Sequence, residues 1–286
     1  MDLDSVDAAE SMDVAPGADS AAAWNVKAKA GLALAQSSFS QNWSGDEVGT
    51  VSWLSSADFL AQKRVHPKLD WSNTLVMSFG QTHQQDAERE AWLAPKKSAD
   101  KIDYDGVVRF TLGGWVDPFF ALTFDSQFFQ KPAGLSSKAL NPIQLGESAG
   151  IARAFYDTKS RTLVSRLGFG FRQRHDRFAE LVPGAKKTTN DGGIEWRTNG
   201  RFASAGDRTV LKSELKMFQA VFFSEKETDL EDDWQEVDVF LQNILSHQLY
   251  KWVTLDLYLE FLYDKQQSKA GQLKQTLGLG LTWQLI

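Results

Sequence analysis

Apolar and polar residues alternate along the chain with a period of two from Trp24 onward. Because successive side chains of a β-strand point to opposite faces, each alternating segment predicts a strand with one apolar and one polar face. The pattern predicts twelve strands, over residues 24–36, 49–63, 67–83, 102–116, 118–130, 148–158, 161–174, 193–204, 209–222, 234–246, 249–264 and 273–286. Strand six has the weakest alternation, with Ala152, Ala154 and Tyr156 on its apolar face. The chain is therefore predicted to be all-β.

The last predicted strand, LKQTLGLGLTWQLI, has an apolar face that includes Leu277, Leu279 and Leu281. An exposed apolar edge strand recruits other chains, and soluble proteins avoid such edges. In a closed barrel the last strand pairs with the first, so no edge is left. We therefore predict a single antiparallel up-and-down transmembrane β-barrel in which the apolar faces meet lipid.

The predicted connections alternate between long polar segments and tight turns. The long segments are 38–47, 84–101, 131–147, 175–192, 223–233 and 265–271. The tight turns lie near His66-Pro67, Asp117-Pro118, Lys159-Ser160, Gly206-Asp207 and His247-Gln248. Bacterial outer-membrane barrels have long outer loops, short periplasmic turns and an even number of strands. The alternation therefore predicts this architecture, with both ends of the barrel segment on the periplasmic side.

A soluble β-sandwich or a ligand-binding barrel is the alternative fold, because its strands also alternate. The predicted strands run to about 11–16 residues, whereas globular strands average about five or six. A tilted membrane strand needs about 9–11 residues, so the predicted lengths favour a membrane barrel. The barrel is predicted to span residues 23–286, preceded by a disordered acidic tail over residues 1–22.

In a membrane barrel the polar faces of the strands line the lumen. The charged residues predicted to line it are Lys27, Lys29, Asp58, Asp70, Asp105, Arg109, Asp125, Arg153, Arg166, Arg172, Glu195, Arg197, Arg201, Lys212, Glu214, Lys216, Glu236, Asp238, Asp256, Glu260 and Lys274. Both signs of charge occur among them, which predicts ion pairs inside the barrel. The bulky residues Phe119, Phe240 and Tyr258 fall on the same face and argue against a wide open pore.

Tryptophans fall near the ends of predicted strands, where membrane barrels carry aromatic girdles. The predicted girdle consists of Trp24, Trp53, Trp71, Trp115, Trp196, Trp252 and Trp283. Outer-membrane lipid and lipopolysaccharide are the expected partners, together with other envelope proteins.

Composition narrows the remaining classes. The net charge of −6 and the interspersed signs argue against a nucleic-acid surface. The chain has no cysteine, which excludes disulfides and thiolate metal sites. Its acidic start lacks the basic flank and apolar core of a secretory signal. A location in the bacterial outer membrane therefore predicts that a signal peptide has been removed.

Several segments resemble a known family. The first strand followed by SSFSQNWSGDE, then SNTLVMSFGQTH and FTLGGWVDPFFALTFDSQFF, resembles an uncharacterised family of Bacteroidota-type outer-membrane barrels, domain-of-unknown-function family 3078. The most specific piece is Ser-Gln-x-Trp-Ser-Gly at residues 40–45, although Asp46 stands where relatives often have a second glycine. The resemblance covers residue 24 to the end. It implies an outer-membrane barrel and no catalytic residues, substrate or cofactor.

Histidines and hydroxyls offer little catalytic chemistry. His66 and His247 lie in predicted turns, while His83 and His175 lie at the outer ends of predicted strands. Ser78 is near His83 in the sequence, but the period of two places their side chains on opposite faces. A nucleophile needs its base within hydrogen-bonding reach, so no catalytic, metal or cofactor site is predicted.

Two charged segments could bind ions. The acidic segment 225–233, EKETDLEDD, could attract a cation, although it matches no calcium-binding loop. The basic segment 171–178, FRQRHDRF, could contact lipopolysaccharide phosphates. Solvated loops are the simpler interpretation of both.

Three functions remain open. A narrow channel or transporter for small solutes is favoured, because a barrel of this size is partly filled by its own side chains. A non-conducting structural or interaction barrel in an envelope complex is the alternative. A lipid-modifying enzyme ranks last, because no nucleophile accompanies His83 or His175. We therefore expect that the protein is not an enzyme.

Overall fold

The alternating segments form long antiparallel strands that are connected mainly in sequence order. The computed structural model describes residues 23–38, 48–86, 91–132, 134–181, 187–224, 233–266 and 268–285. The strands are β1 (Asn25–Ser37), β2 (Thr50–His66), β3 (Leu69–Gln84), β4 (Lys96–Phe110), β5 (Asp117–Ser126), β6 (Phe129–Gln130), β7 (Lys138–Ala139), β8 (Ile143–Asp157), β9 (Arg161–His175), β10 (Thr188–Ala203), β11 (Thr209–Phe223), β12 (Val237–Tyr250), β13 (Val253–Tyr263) and β14 (Gln272–Gln284).

Twelve of these strands close into one barrel. Each pairs with its sequence neighbour, except that β5 pairs with β8, and β1 closes the barrel against β14. The short strands β6 and β7 pair with each other as a separate ribbon inside the β5–β8 connection. The predicted closed, antiparallel, twelve-stranded barrel is therefore confirmed. The proposed tail, residues 1–22, lies outside the described residues.

The two ends of the barrel differ in their connections. At one end, which we call the turn end, short connections follow β2, β4, β8, β10 and β12, and here β1 begins and β14 ends. At the other end, which we call the loop end, longer segments follow β1, β3, β5, β9, β11 and β13. The predicted alternation of short and long connections is thus present in the structure.

Two predicted turns are displaced. Asp117-Pro118 does not form a turn but opens β5, and the turn spans residues 111–116 with Gly113 at φ 73°. A glycine adopts this left-handed conformation at no steric cost. His247-Gln248 likewise lies within β12, and the turn falls at Lys251 and Trp252. In both places the alternation masks the boundary, because a short turn interrupts a period of two only briefly.

Apolar and polar residues are distributed in the reverse of a soluble protein. Large apolar side chains are exposed along the outer face, among them Phe120, Leu122, Ile151, Leu167, Phe169, Ile194, Val221, Leu245 and Leu277. The buried residues include many polar and charged ones, among them Gln62, Asp70, Ser72, Arg109, Ser148, Arg166, Glu195 and Arg201. The cluster of buried apolar residues is small and consists of Val107, Phe119, Ala121 and Ala152. The polar faces of the strands therefore form the interior.

No helix in the described part of the chain has the length and apolar character to cross a membrane. The only helical turns among the described residues are two short 3-10 turns, Ala179–Leu181 and Asp233–Gln235.

Candidate functional site in the barrel lumen

A charged cavity of about 300 Å³ occupies the lumen on the loop-end side. Phe223, Asp264 and Gln266 line it at the loop end. Its charged lining is Lys101, Asp103, Asp125, Arg172, Arg174, Asp191, Glu195, Arg197, Lys216, Asp238 and Asp264. Side chains of both signs thus converge on one space, because β4, β5 and β9 to β12 turn their polar faces inward.

Arg172 organises one wall of this cavity. Its guanidinium contacts Asp191, with Nε 3.0 Å from both carboxylate oxygens, and donates to Oδ2 of Asp238 at 2.9 Å. Its Cζ lies 3.6 Å from the centre of the Phe218 ring, a cation–π contact. β10 and β11 lie between the strands that carry Arg172 and Asp238. The contact between Arg172 and Asp238 therefore links two strands that are not neighbours in the barrel wall.

An ion pair crosses the lumen between nearly opposite walls. Lys216 Nζ on β11 lies 2.9 Å from Oδ2 of Asp103 on β4, and β10, β9, β8 and β5 separate the two strands. Lys101 Nζ approaches the same carboxylate at 3.1 Å. The Phe240 ring lies 5.4 Å from Lys101 Nζ and 5.5 Å from Lys216 Nζ. These groups form a charged crossbar within the barrel.

A second cavity of about 110 Å³ lies deeper in the barrel. Its lining includes Asp58, Asn199, Lys212, Glu214 and Gln242. Lys101 and Asp103 line both cavities. The crossbar therefore stands at the junction between the two cavities.

Part of the lumen near the turn end is filled. Arg109 and Arg64 both contact Asp70, at 3.4 and 2.8 Å, and Asp70 is almost fully buried. Arg166 reaches Asp105 at 2.5 Å, and its Cζ lies 5.6 Å from the Phe119 ring. The Val107 cluster packs on the same side. The lumen is thus more filled by side chains towards the turn end than towards the loop end.

Most of the predicted lumen residues lie at these sites. Those lining the cavities are Asp58, Asp105, Asp125, Arg172, Glu195, Arg197, Lys212, Glu214, Lys216 and Asp238. Those buried near the turn end are Asp70, Arg109, Arg166 and Arg201. The others lie on β1, β13 and β14, where the barrel closes, and are Lys27, Lys29, Asp256, Glu260 and Lys274.

Arg153 was expected in the lumen, but it lies on the outer face. Its Cζ stacks 4.4 Å from the exposed Trp115 ring and 5.3 Å from Phe155. Ala152, expected outside, is buried in the luminal cluster. The prediction for strand six therefore assigned its inner and outer faces the wrong way round. Small alanines on both faces weaken the amphipathic signal, while Ile151 and Phe155 mark the true outer face.

Glu236 was also expected in the lumen, but it precedes β12 and lies in the loop-end connection. Lys265 Nζ lies 3.1 Å from its Oε1 and 3.2 Å from Oδ1 of Asp233. These hydrogen bonds, first with Glu236 and then with Asp233, raise the pKa of Lys265. Glu236 therefore helps to tie two loop-end connections together.

Four important luminal residues were missed by the sequence analysis. Lys101 and Asp191 fell within predicted loops, while Asp103 and Phe218 fell within predicted strands but were not singled out. The period of two offered the missing signal, because Lys101, Asp103 and Asp105 continue one face of β4. The same extension places Asp191 on the face of Glu195.

The predicted girdle residues occupy different heights. Near the turn end lie Trp24, Trp71, Trp115, Trp252 and Trp283, and near the loop end lies Trp53. Trp24 and Trp71 pack edge to face at 5.3 Å. Trp196 lies in the middle of β10 and donates to Oγ of Ser165 at 2.8 Å, so it is not at a strand end.

The remaining candidate groups are dispersed. His175 Nδ1 lies 2.9 Å from Oγ1 of Thr188. In the basic segment, Arg172 faces the cavity while Arg177 hydrogen-bonds Asn141, so the run is not one surface. The acidic segment lies outside the described residues except for Asp233. Among the residues that the structure describes, no group of three or more acidic or histidine side chains is arranged to hold a metal ion.

Three solved structures are similar to this chain at low sequence identity. The COG4313 outer membrane channel from Pseudomonas putida F1 is 13% identical, with 94% of this chain and 98% of that chain covered and a TM-score of 0.43. The translocator domain of autotransporter NalP from Neisseria meningitidis is 9% identical, with coverages of 90% and 86% and a TM-score of 0.35. The β-domain of the Bordetella autotransporter BrkA is 12% identical, with coverages of 91% and 99% and a TM-score of 0.33.

No curated protein matches the chain. Residues 34–131 match a family described as a protein of unknown function, DUF3078. This match includes β2, β3, β4 and β5, which carry several of the segments that suggested the resemblance. Over residues 34–131 the chain is thus matched to the DUF3078 family, and the resemblance seen in the sequence is confirmed there.

Proposed function

We propose that this protein is an integral barrel of the bacterial outer membrane that conducts small polar solutes through a narrow, charge-lined passage. The observation that carries the proposal is the reversed distribution of residues. Charged cavities lie inside a wall whose outer face is apolar.

Hydrocarbon is the environment that suits this outer face. Exposed patches of several hundred Å² already mark interaction sites in soluble proteins, and here apolar side chains cover strand after strand. A closed barrel satisfies its backbone hydrogen bonds between strands, which is the condition for spanning a bilayer. Outer-membrane lipid and lipopolysaccharide are accordingly the proposed surroundings.

The crossbar supports a narrow passage rather than a wide pore. The two cavities meet at Asp103, Lys101 and Lys216. A solute that moves from one cavity to the other must therefore displace these side chains or pass beside them. A lining of mixed charge favours small polar or charged solutes over apolar ones, because the lining groups replace part of the hydration that such solutes lose.

Single-channel recording in planar bilayers tests the proposal. Lys216→Ala removes the ammonium group that reaches Asp103 from the other side of the lumen, and we expect a higher single-channel conductance than in the unaltered protein. The matched control is Lys251→Ala, which removes a lysine from a turn beside Trp252 and should leave conductance unchanged. If neither the unaltered protein nor Lys216→Ala conducts ions, the channel proposal is wrong.

A non-conducting interaction barrel is the second candidate, and the anchored β5–β8 connection favours it. Asn141 is fully buried and donates to Asp176 at 2.9 Å, while its Oδ1 accepts from the backbone N–H of Arg177. This network fixes one long connection against another and presents a firm surface at the loop end. Recovery of one envelope protein by cross-linking, lost on Asn141→Ala, would favour this function.

A further inference from the structure

The closure of the barrel is incomplete towards the loop end. β1 pairs with β2 and β14 pairs with β13 along nearly their whole lengths, but their mutual pairing ends at Ala33 opposite Gly280. Beyond that point both strands continue without pairing to each other. We call this unpaired part, residues 34–37 of β1 and 272–279 of β14, the seam.

Side chains in the seam are unusually accessible. Leu273 is 72% and Leu277 is 64% exposed, against 39% for Leu281 in the paired half of the same strand. Lys274 and Thr276 lie on the opposite face of β14 and are also exposed. Both faces of this strand segment are therefore accessible, at the height where β14 has no pairing with β1.

The unpaired backbone groups of the seam limit the environments in which it is stable. Unsatisfied N–H and C=O groups cost several kcal/mol each in hydrocarbon, and irregular backbone is tolerated where it lines a water-filled cavity. A Cβ added at Gly278 would meet nothing within 4 Å, so open space lies beside β14 at this height. Water from the lumen can therefore reach the seam.

The two sides of the seam differ in chemistry. Towards the lumen, Lys274 Nζ lies 5.5 Å from the Tyr258 ring and 3.5 Å from the Ser98 carbonyl oxygen. Within the described part of the chain Lys274 forms no ion pair, although Glu260 lies opposite it in the strand register. The outer edge carries Leu34 and Leu277. A cation thus stands directly behind an apolar rim.

We propose that the seam is a lateral opening that binds a small anionic amphiphile, with the head group at Lys274 and the apolar tail between the seam leucines. The proposal rests on the membrane-embedded lumen of the proposed function. A carboxylate or phosphate head pairs with the Lys274 ammonium group, which has no carboxylate partner among the described residues. The tail meets leucines on one side and lipid on the other.

Cysteine labelling tests whether the seam is open. The chain has no cysteine, so single substitutions can be labelled cleanly. Leu277→Cys lies in the seam, and Leu257→Cys is its matched control, because Leu257 is opposite Leu277 in the β13–β14 ladder. In lipid vesicles, a water-soluble maleimide should label Leu277→Cys at least about tenfold faster, because the thiolate is the reacting species and hydrocarbon disfavours it. Equal, slow labelling of both would show a closed seam and overturn the proposal.

Competition tests the ligand class. Decanoate should slow labelling of Leu277→Cys, whereas decyltrimethylammonium, with the same tail and the opposite charge, should not. Lys274→Gln should abolish the protection by decanoate while leaving Leu277→Cys reactive. Protection by both amphiphiles, or by neither, would overturn the proposed ligand. Conductance measured on the same vesicle preparation separates the two proposals, since labelling does not depend on ion flow.

Discussion

Paired charges inside the barrel are the main feature at the scale of single residues. Arg166 is nearly buried, reaches Asp105 across β8 and β5, and lies beside the Phe119 ring. Breaking a buried ion pair leaves one charge without a partner in a poorly hydrated space. Arg166 should therefore matter for stability more than a charged residue at a barrel rim.

Arg166→Met should lower the free energy of unfolding by about 3 kcal/mol, the lower part of the range for a broken buried pair, because the Asp105 side chain remains 20% exposed. Urea unfolding in lipid vesicles measures this change. Adding Asp105→Leu should restore most of the loss, because the unpaired carboxylate is then absent. Lys251→Met, at a turn, should stay within about 0.5 kcal/mol. An equal loss for both single variants would contradict the prediction.

The charged faces of the strands could be predicted from the sequence, but the partners in the lumen could not. Alternation indicates that Asp105 and Arg166 belong to inner faces, yet it contains no distance between β4 and β9. The crossbar was missed for a related reason. Lys101 lies in a predicted loop and Asp103 at the start of a predicted strand, and only the longer β4 places both of them opposite Lys216.

Long strands with small irregularities set the geometry at the scale of elements. The pairing of β10 with β11 shifts between Gly192 and Gly193. A Cβ added at Gly193 would lie 1.9 Å from the Gln219 carbonyl oxygen, so the two backbones approach closely here. This bulge requires glycine for lack of space.

Gly193→Ala should destabilise the barrel by about 1–3 kcal/mol, the usual cost of overpacking. The matched control is Gly278→Ala, another strand glycine, where an added Cβ meets open space. That change should be neutral or should stabilise by up to about 1 kcal/mol through the unfolded chain. Urea unfolding of both variants in vesicles provides the comparison. Equal losses would show that the close approach in the bulge is not what makes Gly193 necessary.

The twelve long strands could be predicted because each repeats the same alternation of apolar and polar residues. Some of the strand ends could not be predicted. β8 begins at Ile143, earlier than predicted, because Gly146, Ser148 and Gly150 carry little contrast between faces. β4 begins at Lys96, within a segment of mixed charges that resembles a loop. Hydrogen bonding to a neighbouring strand extends both elements beyond their local signal.

The exposed apolar band is the decisive feature at the scale of the whole molecule. Ile194 is 52% exposed and lies near the middle of β10. In a water-soluble protein, replacing such a residue with arginine would change stability little. In a barrel surrounded by lipid, the same change places a charge in hydrocarbon.

Ile194→Arg should therefore destabilise the folded barrel in vesicles by about 2–4 kcal/mol, the cost of arginine near the bilayer midplane. Tyr250→Arg, at the turn end, should cost at most about 1 kcal/mol, since the penalty falls towards the interface. Folding titrations in lipid vesicles compare the two variants. A cost below about 0.5 kcal/mol for Ile194→Arg would rule out a lipid-facing band.

The ladder between the first and last strands, β1 and β14, also has a kinetic consequence. Hairpins between sequence neighbours need only short loops, but Lys29 meets Gln284 only after almost the entire sheet has formed. Closing a flexible loop of that length costs about 5 kcal/mol in chain entropy plus a constant term. Ring closure should thus be the last event in assembly. Until then, the first and last strands each present unpaired backbone groups that can pair with other chains, and a chaperone would have to shield both.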